Sequence, residues 1–141
     1  MREVIPDTVL AVDDEPLILN LVRVTIKIAG LNPEIFQDPH EALQVYEANA
    51  ANIPVVVTDR NYKRDDINGD SFAEQIRGIA NKYEPPLNVR IIMVTGDNLS
   101  VQAQDSIKAK GGDVIVMKPF SPKVLQGEIK KGREQFGVSK I

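Results

Sequence analysis

Five side chains in this sequence are of the types that handle a metal ion and a phosphoryl group together: Asp13, Asp14, Asp59, Thr95 and Lys118. Each stands at or just past the end of a short apolar run. Val9-Leu10-Ala11-Val12 leads into Asp13-Asp14-Glu15, and Val55-Val56-Val57-Thr58 leads into Asp59. Ile91-Ile92-Met93-Val94 leads into Thr95-Gly96, and Val114-Ile115-Val116-Met117 into Lys118-Pro119-Phe120. Three carboxylates brought together repel one another until a hard cation or a proton neutralises them. Mg²⁺ suits such a cluster, because carboxylate oxygens, waters and a substrate phosphate complete its octahedron. Near that ion, Asp59 is a nucleophile toward phosphorus, and the product is an acyl phosphate. The Thr95 hydroxyl can bond a phosphoryl oxygen, with Gly96 leaving room for the group to approach. Lys118 supplies a counter-charge and grips a phosphoryl oxygen as a point charge.

Taken singly, these residues have plain explanations. Asp is common in turns, a β-branched residue often finishes a strand, and a lysine is usually a surface group. Their joint placement carries the argument, and it needs a scaffold. Near-continuous β-branched runs mark strands buried on both faces of a parallel sheet. Parallel strands bring their C-terminal ends to one edge, where open α/β sheets bind ligands.

Helical patterns separate the runs. Pro16 suits a first helical position, and Leu17, Ile18, Leu21, Val22, Val24, Ile26 and Ile28 predict a wide apolar face ending at Gly30. A weaker strand is expected around Glu34-Ile35-Phe36, then a helix from Pro39 capped by Asp38 and carrying Ala42, Leu43, Val45 and Tyr46. After a polar loop from Arg60 to Gly69, Asp70 or Ser71 caps a helix carrying Phe72, Ile76, Ile79 and Ala80. Asn98 or Ser100 caps the next, with Val101, Ala103, Ile107 and Ala109, closed by Gly111-Gly112. Ser121-Pro122 opens the last, which carries Val124, Leu125 and Ile129, is weakened by Gly127 and Gly132, and ends in Lys130, Lys131 and Arg133. Strand-helix alternation of this kind predicts a doubly wound parallel sheet with right-handed crossovers.

Composition sets the outer bounds. A chain of 141 residues, 43% hydrophobic, is expected to form a single domain over residues 1–141 with its core at about 7–136 and a short tail from Gly137 to Ile141. The absence of Cys removes disulfide and thiolate chemistry and fits a reducing, cytoplasmic setting. A net charge of -3 argues against direct nucleic-acid binding. No apolar stretch approaches the roughly 20 residues of a membrane span, and Met1 to Asp7 has no signal-peptide pattern.

With these pieces assembled, the chain resembles the receiver domain of two-component response regulators. The matching segments are Val12-Asp13-Asp14-Glu15, Thr58-Asp59-Arg60-Asn61, Val94-Thr95-Gly96 and Met117-Lys118-Pro119-Phe120. The resemblance implies a flavodoxin-like fold of five parallel strands in the order 2-1-3-4-5. It implies that Asp59 is the phosphoacceptor, and that Asp14 and Asp59 bind Mg²⁺ directly. Asp13 would act through water, and Asn61 through its backbone carbonyl. It further implies that Thr95 is the switch hydroxyl and Lys118 the family's lysine. The phosphodonor would be a histidine of a sensor kinase or phosphotransfer protein, and the readout a downstream protein target. Such a domain acts on nothing but its own phosphorylation state.

The chain departs from the family pattern in three places. Ile115 stands where an aromatic residue is usual, Tyr62-Lys63 replaces Met-Pro, and the loop to Gly69 is about two residues longer. Arg60, Lys63 and Arg64 make that loop basic and read as solvated surface, as does the lone His40. The run Asp65-Asp66-Ile67-Asn68-Gly69-Asp70 fails as a calcium loop, because no register supplies the acidic ligands, the Gly and the closing Glu together. Two alternative functions stay open at this point. One is a Mg²⁺-dependent phosphohydrolase working through an aspartyl phosphate. Its usual second Asp, two residues after the nucleophile, is missing after both Asp13 and Asp59. The other is a receiver-like scaffold whose switch is lost or altered, which Ile115 alone suggests.

Overall fold

The computed structural model describes residues 3–96 and 99–136. The predicted tail at 137–141 and the alternative cap Asn98 lie outside the described residues. Five parallel strands form one sheet in the order β2-β1-β3-β4-β5, the flavodoxin-like order expected. They are β1 (Thr8–Val12), β2 (Asn32–Phe36), β3 (Val55–Asp59), β4 (Arg90–Thr95) and β5 (Val114–Met117). The helices are α1 (Pro16–Ile28), α2 (Pro39–Asn49), α3 (Gly69–Asn81), α4 (Val101–Ala109) and α5 (Pro122–Phe136). A single 3-10 turn at Ala50–Asn52 follows α2.

The two-residue period of the strands divides the core in two. Leu10, Val12, Val56, Ile91 and Met93 point to the side covered by α2, α3 and α4, where Tyr46, Phe72, Ile76 and Ile107 close over them. Val9, Ala11, Val55, Val57, Ile92 and Val94 point the other way, under Leu19, Val22 and Ile26 of α1 and Leu125 and Ile129 of α5. The central strands are buried from end to end, so their sequences are apolar apart from Thr8, Thr58 and Asp59. At the edge, β2 is half-buried along most of its length and contains Pro33, and its sequence signal is correspondingly weak.

Helix ends follow the local chemistry. Asp38 accepts the N–H of His40 at 2.9 Å and caps α2, and Ser100 accepts that of Ala103 at 3.1 Å and caps α4. Gly30, at φ +85°, ends α1 in a Schellman motif: Gly30 N–H donates to Lys27 O and Leu31 N–H to Ile26 O.

Two expectations need correction. The inward residues of α1 are Leu19, Val22, Thr25 and Ile26, not the wide face read from the sequence. Leu17 is 86% exposed and Ile28 63%, with Leu21 and Val24 between them on the outer side. The helix carries aliphatic residues around much of its circumference, so periodicity alone does not choose the face. The second correction is Gly132, which does more than weaken α5. A Cβ there would lie 2.5 Å from Val55 Cγ2 and 3.0 Å from Arg90 Cδ, so the glycine lets the helix settle onto the sheet. At Gly127 the same Cβ meets nothing within 4 Å. Identical substitutions in one helix should therefore have opposite signs in urea unfolding. Gly127→Ala should stabilise by about 0.5–1 kcal/mol, and Gly132→Ala should destabilise by about 1–3 kcal/mol through overpacking.

Candidate phosphoryl and metal site

Strand register explains how residues far apart in sequence meet. Val12 pairs with Thr58, so Asp13 and Asp59 leave β1 and β3 at the same level. Asp59 pairs with Val94, which sets Thr95 one step further along β4. Thr95 pairs with Met117, and the next residue is Lys118, whose N–H donates to Thr95 O at 2.7 Å. All four side chains thus reach the carboxyl edge of the sheet, with Asp13, Asp59 and Thr95 buried. The Lys118–Pro119 bond is cis.

Lys118 is the charge hub. Its Nζ lies 3.2 Å from Asp13 Oδ2 and 3.2 Å from Asp59 Oδ1. Carboxylate oxygens of Asp13, Asp14 and Asp59 lie within 4.8 Å of one another. Backbone amides carry part of the remaining charge. Glu15 N–H donates to Asp13 Oδ1 at 2.9 Å, Asn61 N–H to Asp59 Oδ1 at 3.4 Å, and Lys63 N–H to Asp14 Oδ2. One cation and three amides do not balance three carboxylates. Burial, and then the charge of Asp13, push the Asp59 carboxyl up to about 6, against the pull of Lys118. Burial also raises Asp13, with the Glu15 amide and Lys118 opposing it. For Lys118, burial works against the charge, but the two carboxylates outweigh it and hold the ammonium above its ordinary value. The site is therefore short of positive charge. A hard divalent cation matches both the deficit and the all-oxygen cluster of Asp13, Asp14 and Asp59.

The loop after Asp59 is shaped by contacts that the sequence left unread. Asn68, not Asp70 or Ser71, caps α3: it accepts Ser71 N–H at 2.9 Å, and Ser71 Oγ accepts Asn68 N–H at 3.1 Å. Asp70 is thereby free to hold Arg60, with contacts of 3.2 and 3.3 Å. Arg64 pairs with Asp66 at 2.8 Å and Asp38 at 3.0 Å, and His40 with Asp66 at 2.7 Å. Two of the three loop cations and His40 are thus engaged by neighbouring acids rather than simply solvated. Gly69, the first residue of α3, lies directly on the Asp59-Arg60 backbone. Tyr62 is turned into the core, edge-on to Phe72, with its hydroxyl on Thr58. Its signal was an aromatic residue alone in a polar loop.

Residues 9–130 match the model of the response regulator receiver domain, and the chain belongs to that family. Solved structures agree. A response regulator receiver domain protein from Clostridium thermocellum superposes with TM-score 0.77 at 23% identity, covering 91% of this chain and 94% of that one. A CheY-like receiver domain protein from Methanospirillum hungatei gives 0.76 at 25%, covering 92% and 95%. The chemotaxis protein CheY4 of Vibrio cholerae gives 0.73 at 28%, covering 91% and 98%. No curated protein sequence matches. Receiver domains are signalling domains that generally bind Mg²⁺ at an acidic cluster, and they work with histidine kinases or phosphotransfer proteins. Among the described residues, no helix is long and apolar enough to cross a membrane.

Proposed function

We propose that this domain takes a phosphoryl group onto Asp59 from a phosphohistidine of a kinase or phosphotransfer protein, and that the modified state changes which protein it binds. The observation that carries the reading is the convergence of Asp13, Asp59 and Lys118, with Lys118 Nζ 3.2 Å from both carboxylates. An Asp59 carboxylate oxygen attacks phosphorus. The P–O bond forms as the P–N bond breaks, and the electron pair of the broken bond stays on the imidazole nitrogen. Lys118 moves from balancing two carboxylates to balancing a phosphoryl oxygen. The Thr95 hydroxyl bonds a second phosphoryl oxygen, and Gly96 leaves that approach open, since a Cβ there would meet only Lys118 Cβ at 3.9 Å. Asp14, Asp59 and the Asn61 carbonyl would hold Mg²⁺ directly, with Asp13 through water. When bound, the ion offsets charge on the group in transfer. Movement of Thr95 and Lys118 repacks the surface of α4, β5 and α5, where Ile115 and Leu99 lie partly buried against the core.

Incubation with Mg²⁺ and a small acyl-phosphate donor, followed by intact mass, should show one added phosphoryl group. Asp59→Ala and addition of EDTA should each abolish it. An unmodified wild type, or equal modification of Asp59→Ala, sinks the proposal. The phosphohydrolase alternative gains nothing from the structure, because Glu15 and Asn61 stand where its second Asp belongs.

A further inference from the structure

The segment Asn61-Tyr62-Lys63 borders the acidic cluster, yet it belongs to no helix or strand. Its two outer residues face the cluster: Asn61 N–H reaches Asp59 Oδ1, and Lys63 N–H reaches Asp14 Oδ2. Its middle residue points the opposite way. Tyr62 is 7% exposed and packs edge-on to Phe72, with ring centroids 6.4 Å apart and an interplanar angle of 85°. Its hydroxyl meets Thr58 Oγ1, and Thr58 Oγ1 donates to the carbonyl of Asp59 at 2.9 Å. A hydroxyl has one proton to give. Thr58 gives its proton to Asp59 O, so the Tyr62 hydroxyl is the donor to Thr58. The relay runs Tyr62 O–H to Thr58 O–H to Asp59 C=O. It ties the loop to the strand end at the very residue whose carboxylate lies in the cluster.

We infer that Tyr62 is a positioning residue for the cation site: its buried hydroxyl sets the backbone of Asn61 and Lys63, and through them the affinity for Mg²⁺, without touching the ion. The inference rests on the function proposed above, and deepens it. A loop without ladder hydrogen bonds is held by its anchors, and the others lie outside the segment, before it at Arg60, whose N–H donates to Val94 O and whose guanidinium pairs with Asp70, and after it at Arg64 and the buried Ile67. Tyr62 alone sits between the two amides that contact the carboxylates. The same fold supplies a control. Tyr46 is also buried, but among the described residues its hydroxyl has no hydrogen-bond partner.

The test is calorimetric titration of the purified chain with MgCl₂, alongside ¹⁵N amide spectra of the metal-free protein. Tyr62→Phe should weaken Mg²⁺ binding about three- to ten-fold, the range expected for loss of one hydrogen bond. Tyr46→Phe should bind as wild type. Thr58→Val should show a loss like that of Tyr62→Phe, and the double variant should add little, because both break one relay. In the metal-free protein, Tyr62→Phe should shift the amide resonances of Asn61 and Lys63 while leaving those of β2 in place, which a general loss of stability would not do. Wild-type affinity in Tyr62→Phe, or in Thr58→Val should the first variant not fold, overturns the inference and leaves the proposed function standing. Equal losses in Tyr62→Phe and Tyr46→Phe also overturn it. A wild type that binds no Mg²⁺ would instead remove the proposed function, and this inference with it.

Discussion

Asp59→Asn will make the metal-free protein more stable than the native chain at pH 7.5, by about 2 kcal/mol. The sign comes from the raised carboxyl, which titrates at about 6 in the folded chain. The unfolded chain would lose this proton near 3.9. Above about pH 6 the group is ionised in both states, and the folded state carries the full penalty, about 3 kcal/mol for a shift of about two units. As pH falls through about 6, the native carboxyl takes up its proton first and the penalty shrinks, disappearing below the unfolded value. The expected gain from Asn is smaller than the full penalty, because the amide is itself a polar group that must be desolvated at this site. The gain should fall by roughly half at pH 5. Urea unfolding in EDTA at the two pH values measures both quantities. Excess Mg²⁺ should erase or reverse the order, since an ion held only by the native state stabilises it by mass action. A variant no more stable than wild type at pH 7.5, or a gain that does not decline on acidification, would contradict the charge deficit assigned to this site.

Among the glycines of the described residues, Gly69→Ala will be the most damaging alanine substitution. The added Cβ would lie 2.3 Å from Asp59 O and 2.5 Å from Arg60 Cα, and both are backbone atoms that cannot rotate aside. Gly69 N–H also donates to Arg60 O at 2.7 Å, so α3 cannot retreat without breaking that bond. Relief must come from displacing the strand end that carries Asp59. A loss of about 3 kcal/mol is expected, together with slower acyl-phosphate formation in the fraction that remains folded. Gly78→Ala in the same helix, where a Cβ meets nothing within 4 Å, should be neutral to stabilising by up to about 1 kcal/mol. Equal stability of the two alanine variants would show that the backbone approach at Gly69 is not tight.

The part of the site built on buried strands was readable from sequence because burial on both faces forces a continuous apolar run, and the run ends where the chain meets solvent. Asp13, Asp59, Thr95 and Lys118 all stand at such ends. What stayed hidden depends on contacts between segments. The α3 cap fell on Asn68 rather than Asp70 or Ser71 because Asn, Asp and Ser are equally good caps in isolation, and local sequence does not choose among them. Charges that looked like solvated surface on Arg60 and Arg64 are matched by Asp70, Asp38 and Asp66, and Asp38 lies 26 positions away. The inward side of α1 was misjudged because its aliphatic residues encircle the helix, and Leu19 is chosen by the sheet rather than by spacing. Gly132 has only a propensity cost when α5 is considered alone; the close crossing of β3 and β4 reverses its meaning.

Pro33 in the outermost strand has an effect at the rim of the sheet. Asn32 N–H donates to Asp7 O, and Phe36 O accepts from Asp13 N–H, so these positions of β2 spend their backbone groups on β1. The alternate positions, Pro33 and Ile35, turn theirs outward. Proline has no amide hydrogen, which leaves Ile35 as the one outward donor along the five residues of the strand. An extended segment from another molecule that tried to zip onto this side would find almost nothing to accept from, so the flank with the longer exposed strand is the one that resists fibrillar stacking.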